Sequence, residues 1–269
     1  MIPDMLNVSE LYIYPVKSLG GVKIQQAMLT DRGFEHDRRW MLVDRDNVFL
    51  SQREMPRMSL LKIDMQPGGF DVYHAAKPAE RFFIAYESNQ TERSVVRVWN
   101  DQCIAVNAGN YADAWFSDML SVQCRLVFMP DDVKRLVDQR YAHNHEITSF
   151  SDDYPLLMIG QASLDDLNSR LREPLSMERF RPNIVFTGGY PFQEDDITAF
   201  QINGIQFSCA KPCARCVVTN IDQQNGIKGK EPLKTLSTYR MQNNKVLFGQ
   251  NLLYKGNGIV ATGDIIERT

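Results

Sequence analysis

Residues 198–216 read Thr198-Ala-Phe-Gln-Ile-Asn-Gly-Ile-Gln-Phe-Ser-Cys-Ala-Lys-Pro-Cys-Ala-Arg-Cys216. Two alternating runs, 198–202 and 205–209, flank Asn203-Gly204. Asn-Gly between alternating apolar residues is a strong hairpin signal, because a two-residue type I′ turn needs positive φ at both central positions. The second strand therefore delivers Cys209, Cys213 and Cys216 from its end into a loop, with Lys211, Pro212 and Arg215 among them. A thiol beside fixed positive charge is more readily a thiolate, which is both a nucleophile and a soft metal ligand.

The rest of the chain reads as mostly β. Residues 10–14, 22–29, 40–43, 60–65, 70–73, 81–86 and 95–106 are short, partly alternating runs broken by turn residues. That pattern predicts a barrel or sandwich rather than a doubly wound sheet. Residues 110–120 carry Ala112, Trp115, Phe116, Met119 and Leu120 at helical spacing. A strand is expected at 124–129 and a long polar loop at 131–153. Ser163-Leu164-Asp165-Asp166 predicts a capping box opening a helix with Leu164, Leu167 and Leu171 on one face, ended by Pro174. Further strands are expected at 183–187, 217–221, 246–247, 252–254 and 259–266, with a short amphipathic stretch near 233–239.

The totals bound the function. The chain has 269 residues, 43% of them apolar, enough for one large domain or two ordinary ones with a real core. With 30 basic against 33 acidic side chains it has no global basic field, so nucleic acid is not an expected partner. Five cysteines, three of them crowded into one loop, make a poor framework for secreted disulfides. The N-terminus lacks a signal-peptide pattern, and no apolar run approaches the roughly 20 residues of a membrane span. No membrane association and a cytoplasmic, reducing location are expected.

Three chemistries compete for the cysteines. Cys209-x3-Cys213-x2-Cys216 matches the spacing that holds three irons of a [4Fe–4S] cluster in radical enzymes. The repeated βα units of such barrels are absent, and too few residues follow Cys216 to build them. A structural zinc needs four ligands, and the nearest histidine, His145, is far upstream. Alternatively Cys209, continuing the Ile205, Phe207 alternation, is a core thiol. Trp40, Trp99 and Trp115 are read as core aromatics, and His36, His74, His143 and His145 show no ligand spacing.

Several separated motifs carry a more specific resemblance. Pro212-Cys-Ala-Arg-Cys-Val-Val-Thr-Asn-Ile-Asp222, then Gly226 and Lys230-Glu-Pro-Leu-Lys-Thr-Leu236, resemble the core of the MOSC domain, the C-terminal domain of molybdenum cofactor sulfurases. Tyr12-Ile-Tyr-Pro-Val-Lys-Ser18, Gly20-Gly21 and Asp37-Arg-Arg-Trp40 resemble the β-barrel domain that precedes it. Phe180-Arg-Pro-Asn-Ile-Val185, Phe248-Gly-Gln-Asn251 and Gly263-Asp264 also match. The group most like this chain is that of the mitochondrial amidoxime reducing component and its bacterial relatives. The resemblance implies a mostly β fold with a few helices (α+β): an N-terminal β-barrel-like domain over 1–122 and a MOSC β-barrel domain over 123–269.

It further implies a molybdenum cofactor, a molybdopterin, between the two, with Cys216 rather than Cys213 as metal ligand and catalytic residue. By position, the residues that hold the pterin phosphate and ring fall on Lys17, Ser18, Arg38, Arg181, Asn183, Arg215 and Asn251, and on Asp152, Asp153 and Tyr154. This chain departs from the animal relatives at 152–154, where theirs is Ser/Thr-rich, and at Asn251, which replaces an aromatic residue. The residue types suit such a ligand. Arginine forks take phosphate bidentately, Lys17 adds a point charge, and Asn183 can donate and accept at a pterin edge. Arg181 before Pro182 is expected to be extended. The implied activity is reduction of a small N-hydroxylated compound. A separate electron-transfer protein is the expected partner, since no ferredoxin-type cysteine cluster follows the last motif. Pyridoxal phosphate is not expected. The alternative is a carrier of molybdenum cofactor or sulfur without turnover.

Overall fold

The computed structural model describes residues 5–87 and 89–269. The protein is mostly β, and among the described residues seven strands close into a barrel. Numbered here in chain order, they are β1 (Leu6–Ile13), β2 (Leu156–Gly160), β3 (Ile184–Thr187), β4 (Ala199–Ile202), β5 (Ile205–Ala214), β6 (Lys245–Lys255) and β7 (Ile265–Arg268). Around the barrel the order is β2-β3-β1-β7-β4-β5-β6, and pairing of β6 with β2 closes it. Closure leaves no unpaired sheet edge. Only β2 and β3 run parallel, and helix Gln161–Ser169 makes the crossover that parallel neighbours require.

The hairpin forms as its sequence dictates. Ile202 opposes Ile205, and Asn203 and Gly204 take φ of 51° and 77°. Phe200 and Phe207 face each other in register and stack at 4.9 Å inside the barrel, with Leu11, Phe34, Phe186 and Leu252 in the same core. Strand β5 then runs on further than the alternation indicated, to Ala214, and its register against β6 shifts twice, between Cys209 and Lys211 and between Pro212 and Ala214. Such irregularities bend a strand and re-aim its side chains, and they give Pro212, which has no N–H to donate, a place in the ladder.

Residues 40–128 build a second unit: a four-stranded sheet (Trp40–Val43, Arg93–Val98, Asp101–Asn107, Arg125–Phe128), a three-stranded sheet (Leu61–Gln66, Gly69–His74, Arg81–Ala85) and helix Asn110–Leu120. Its core gathers Trp40, Phe70, Phe116 and Leu126. The chain leaving β1 joins this unit directly: Val16 bridges Trp40, and the Lys17 N–H donates to the Trp40 carbonyl at 2.8 Å.

Several local expectations are corrected. The predicted capping box does not cap: the helix begins at Gln161, and Ser163 lies inside it, its hydroxyl donating to buried Glu194 at 2.7 Å. Residues 217–221 form a 3₁₀ turn, Val217–Asn220, because the Thr219 N–H and hydroxyl both close back on the Cys216 carbonyl. The two segments at 246–247 and 252–254 are one long strand, β6, while 22–29 and 259–266 each split into two strands. The loop at 131–153 contains a two-stranded pair, Arg135–Leu136 with Ile147–Thr148.

Candidate functional site

A cleft with about 860 Å³ of empty space, counting its open mouth, lies where the barrel meets the second unit. Each residue that the resemblance assigned to cofactor or metal lines it. The segment leaving β1 supplies Lys17 and Ser18, and the approach to strand Trp40–Val43 supplies Arg38. Asp152, Asp153 and Tyr154 precede β2, Arg181 and Asn183 precede β3, Arg215 and Cys216 follow β5, and Asn251 stands on β6. Strand pairing sets part of this wall: Leu157 is the register partner of Asn251, and its carbonyl accepts the Asn183 N–H at 2.8 Å.

Backbone strain concentrates here. Ser18, Arg38, Trp99 and Arg181 all line the cleft with positive φ, at 67°, 50°, 55° and 55° respectively. Left-handed conformations cost non-glycine residues energy and cluster where function holds them. Arg181 is therefore not extended as its place before proline suggested. Its N–H donates to the Glu178 carbonyl and it ends the 3₁₀ turn Met177–Phe180 in the left-handed cap conformation.

Among the described residues five cations face two carboxylates in the cleft. Lys17 is buried and donates to the Phe150 carbonyl at 2.7 Å and to Asp152 at 2.5 Å. Burial pushes its ammonium below the ordinary lysine value, against the pull of Asp152. Crowding at the cleft floor raises Asp152, but the charge and hydrogen bond of Lys17 and the Trp99 indole outweigh that and hold it below the usual carboxylate range. The Asp152 side chain stays 64% exposed toward the mouth, so solvent screens the pair and it adds little to stability. Arg38 pairs with Asp37 at 2.5 Å and donates to Asn183 Oδ1 at 3.0 Å and the Arg181 carbonyl at 3.2 Å. Burial opposes its charge, yet Asp37 carries it above the ordinary value. Arg181 donates to the Leu19 carbonyl at 2.7 Å, and burial pushes it down to about 10. Both guanidinium groups lie over the buried Tyr14 ring, at 4.4 and 4.2 Å.

Asn183 is fully buried and spends its amide within the chain. Its Oδ1 accepts from Arg38 and the Leu157 N–H, and its Nδ2 donates to the Tyr12 carbonyl at 3.2 Å. It holds Arg38 in place rather than presenting both amide groups to a ligand. Asn251 likewise donates to the Lys211 carbonyl.

Cys213 and Cys216 both line the cleft, while Cys209 packs against the barrel core as a core thiol should. Burial pushes the Cys209 thiol up to about 12 and raises Cys213 as well, the latter offset in part by Arg215. Among the described residues no three His, Cys, Asp or Glu side chains converge as a metal cage, which removes the geometric basis for the three-cysteine cluster.

Among the described residues, Arg215 Nε, the Ser151 hydroxyl and the Tyr154 hydroxyl are buried without a hydrogen bond. The N–H groups of residues 151–154 also donate to nothing among the described residues. Buried polar groups without partners are costly, and a group of them around one cleft marks a place where a ligand completes the set.

Sequence reasoning missed three parts. Trp99, read as core, lines the cleft and donates from Nε1 to Asp152 at 3.2 Å. Arg53 stacks on it at 4.0 Å. Arg135, in the presumed loop, is buried and donates to the carbonyls of Ser149 (3.0 Å), Ser151 (2.6 Å) and Asp152 (3.0 Å) and to Asp101 (2.8 Å), so it sets the curl of the segment carrying Asp152. No periodicity or motif marked it.

Two family models match consecutive stretches of the chain. Residues 5–123 match the model of the MOSC N-terminal beta barrel domain and residues 145–267 that of the MOSC domain. The chain is 31% identical to rat mitochondrial amidoxime reducing component 2, over 97% of this chain and 83% of that protein. This chain belongs to the MOSC-domain family. Mouse mitochondrial amidoxime-reducing component 1 is 30% identical over 96% of the chain and 81% of its own length. The rice molybdenum cofactor sulfurase is 29% identical over 93% of this MOSC protein, which spans only 33% of the sulfurase. Among the described residues of this MOSC protein no helix is long and apolar enough to cross a membrane.

Proposed function

We propose that the cleft binds a molybdenum cofactor with Cys216 as the protein's sulfur ligand, and that the protein reduces N-hydroxylated compounds with electrons from a separate donor protein. The observation that carries this reading is the meeting, in one cleft, of the Cys216 thiol, an excess of cations and a set of unpaired donors. The donor set fits a pterin bearing a dianionic phosphate. Among the described residues, Arg215 Nε, the hydroxyls of Ser151 and Tyr154 and the free N–H groups before β2 all lack acceptors, and Arg181 keeps donors beyond the one it gives to Leu19. The relatives named for amidoxime reduction supply the reaction class.

When bound, the cofactor supplies the two-electron redox chemistry. The chain's part is to hold it, to orient the substrate and to set the local charge. Reduction of an N–OH group to N–H consumes two electrons and two protons and releases water. Asp152, held ionised by Lys17 and Trp99, serves as a fixed acceptor and not as the proton source at neutral pH. Arg38, fixed by Asp37 and Asn183, gives the cleft a cation that needs no rearrangement to meet an anion.

Similarity to the sulfurase favours a second reading, a carrier that hands on cofactor or sulfur stoichiometrically. One experiment separates the two. Cofactor-loaded protein is given a reductant and benzamidoxime beside a Cys216→Ser variant. Multiple turnovers by the wild type and loss of both activity and bound molybdenum in the variant support the reductase. A single stoichiometric transfer supports the carrier, and unchanged activity in the variant removes Cys216 from the mechanism.

A further inference from the structure

Among the described residues, the cations lining the cleft differ in what they have left to give. Lys17 is committed to Phe150 and Asp152, and Arg38 to Asp37, Asn183 and Arg181. Arg181 gives a donor to Leu19, and Arg215 gives two, to Cys213 and Phe180. The guanidinium of Arg53 donates to no described residue and pairs with no described carboxylate, although it lines the same cleft.

Arg53 is nevertheless held. Its guanidinium carbon lies 4.0 Å from the Trp99 ring centroid. Trp99 is itself fixed by a left-handed backbone, by its bond to Asp152 and by an edge contact with Phe49 at 4.6 Å. The backbone beneath is fixed as well. The Arg53 N–H donates to the Ser51 hydroxyl at 3.0 Å, and fully buried Gln52 donates to the Ser18 carbonyl at 2.8 Å. Gln52 Oε1 also accepts from Gln223 Nε2 at 3.1 Å, which ties this loop to the segment that follows Cys216. An arginine stacked on an aromatic ring presents a planar fork of five donors with little further ordering needed, and that fork matches a carboxylate or phosphate. The two carboxylates of the cleft do not compete for it, since Asp152 is engaged by Lys17 and Trp99, and Asp153 by Lys211 at 3.4 Å.

We infer that Arg53, on its Trp99 platform, recognises an anionic group of the substrate, and that the enzyme is selective for N-hydroxylated compounds carrying a carboxylate or phosphate. This specificity rests on the reductase reading above. Arg53 is a substrate-binding residue in it, and Trp99 the residue that positions Arg53.

The test uses two compounds with the same reducible group, benzamidoxime and 4-carboxybenzamidoxime, on cofactor-loaded wild type, Arg53→Gln and Arg53→Lys. A charge-assisted bidentate pair contributes roughly 10-fold or more. The ratio of kcat/KM for the carboxylated over the neutral compound should therefore exceed about 10 in wild type. It should fall to near unity in Arg53→Gln and lie between in Arg53→Lys, which keeps the charge and loses the fork. Calorimetric binding of both compounds to the oxidised protein gives the same comparison without turnover, and molybdenum per chain is measured for each variant. An unchanged ratio in Arg53→Gln, or loss of molybdenum in that variant, overturns the inference, the second by assigning Arg53 to the cofactor. A binding preference that depends on Arg53 in protein that turns over neither compound upholds Arg53 as an anion site and overturns the reductase reading alone.

Discussion

Arg215 donates from Nη1 to the sulfur of Cys213 at 3.0 Å. Of the two cysteines in the cleft, it is thus Cys213 that carries a protein partner, and among the described residues the sulfur of Cys216 has none. The two substitutions should behave differently. Cys216→Ser is expected to abolish molybdenum retention, whereas Cys213→Ser, which keeps an acceptor for Arg215, should lower it only a few-fold. Molybdenum analysis of both purified variants checks this, and equal losses would reject the division of roles.

Arg135 is expected to control the shape of the cleft floor. Removing its fork leaves three carbonyls of the Ser149–Asp152 curl and the Asp101 carboxylate without their donor. Arg135→Lys should cost about 3 kcal/mol in denaturant unfolding, from several lost charge-assisted bonds. Cofactor should also dissociate faster from the folded fraction. A stability loss with an unchanged dissociation rate would confine Arg135 to the fold.

Glu194 is the strongest candidate for pH-dependent stability. It is fully buried, its Oε1 has no partner among the described residues, and burial, offset in part by Ser163, raises it from 4.5 to about 7. The folded protein then holds this proton more tightly than the unfolded chain. The contribution is full below pH 4.5 and is lost as pH rises through 7, amounting to on the order of 3 kcal/mol. Urea unfolding of wild type and Glu194→Gln at about pH 5 and about pH 8, either side of that transition, should show a steeper fall for wild type. Parallel pH profiles would refute the assignment.

Gly249 lies in the Phe248–Asn251 motif with φ of 83°. A Cβ there would stand 2.7 Å from Ile159 and 2.8 Å from the Met158 carbonyl, where β6 lies against β2. Gly249→Ala should therefore cost about 2 kcal/mol or more, read as a lowered midpoint in thermal unfolding. A neutral result would mean that the strand pair yields freely.

What the sequence made legible followed from local physics. Asn203-Gly204 specified its own turn, the alternation of Ile205 and Phe207 specified a barrel interior, and the motifs around Lys17, Arg38, Arg181 and Cys216 marked residues that share one cleft. What it hid depends on contacts across long stretches of chain. Ser163 looked like a cap because its partner, Glu194, is 31 residues away. Val217–Asn220 looked like a strand because valine and threonine favour strands, and the Cys216 carbonyl overrode that preference. Trp99 and Arg135 join the cleft through bonds to Asp152 and its neighbours, which no pattern near either residue announces.

The pairing of β1 has a consequence for biosynthesis. Of its eight residues, Leu11, Tyr12 and Ile13 meet an early partner in Val22–Ile24. The rest of that edge, at Leu6 and Asn7, pairs with Ile265–Arg268, and the opposite edge pairs with Ile184–Thr187. One edge of the strand therefore stays unpaired until residue 187 has been made, and Leu6 and Asn7 complete their second edge only with residues 265–266. Closure of the barrel therefore waits for the last of its strands, and the cavity that depends on it forms after all seven have been made.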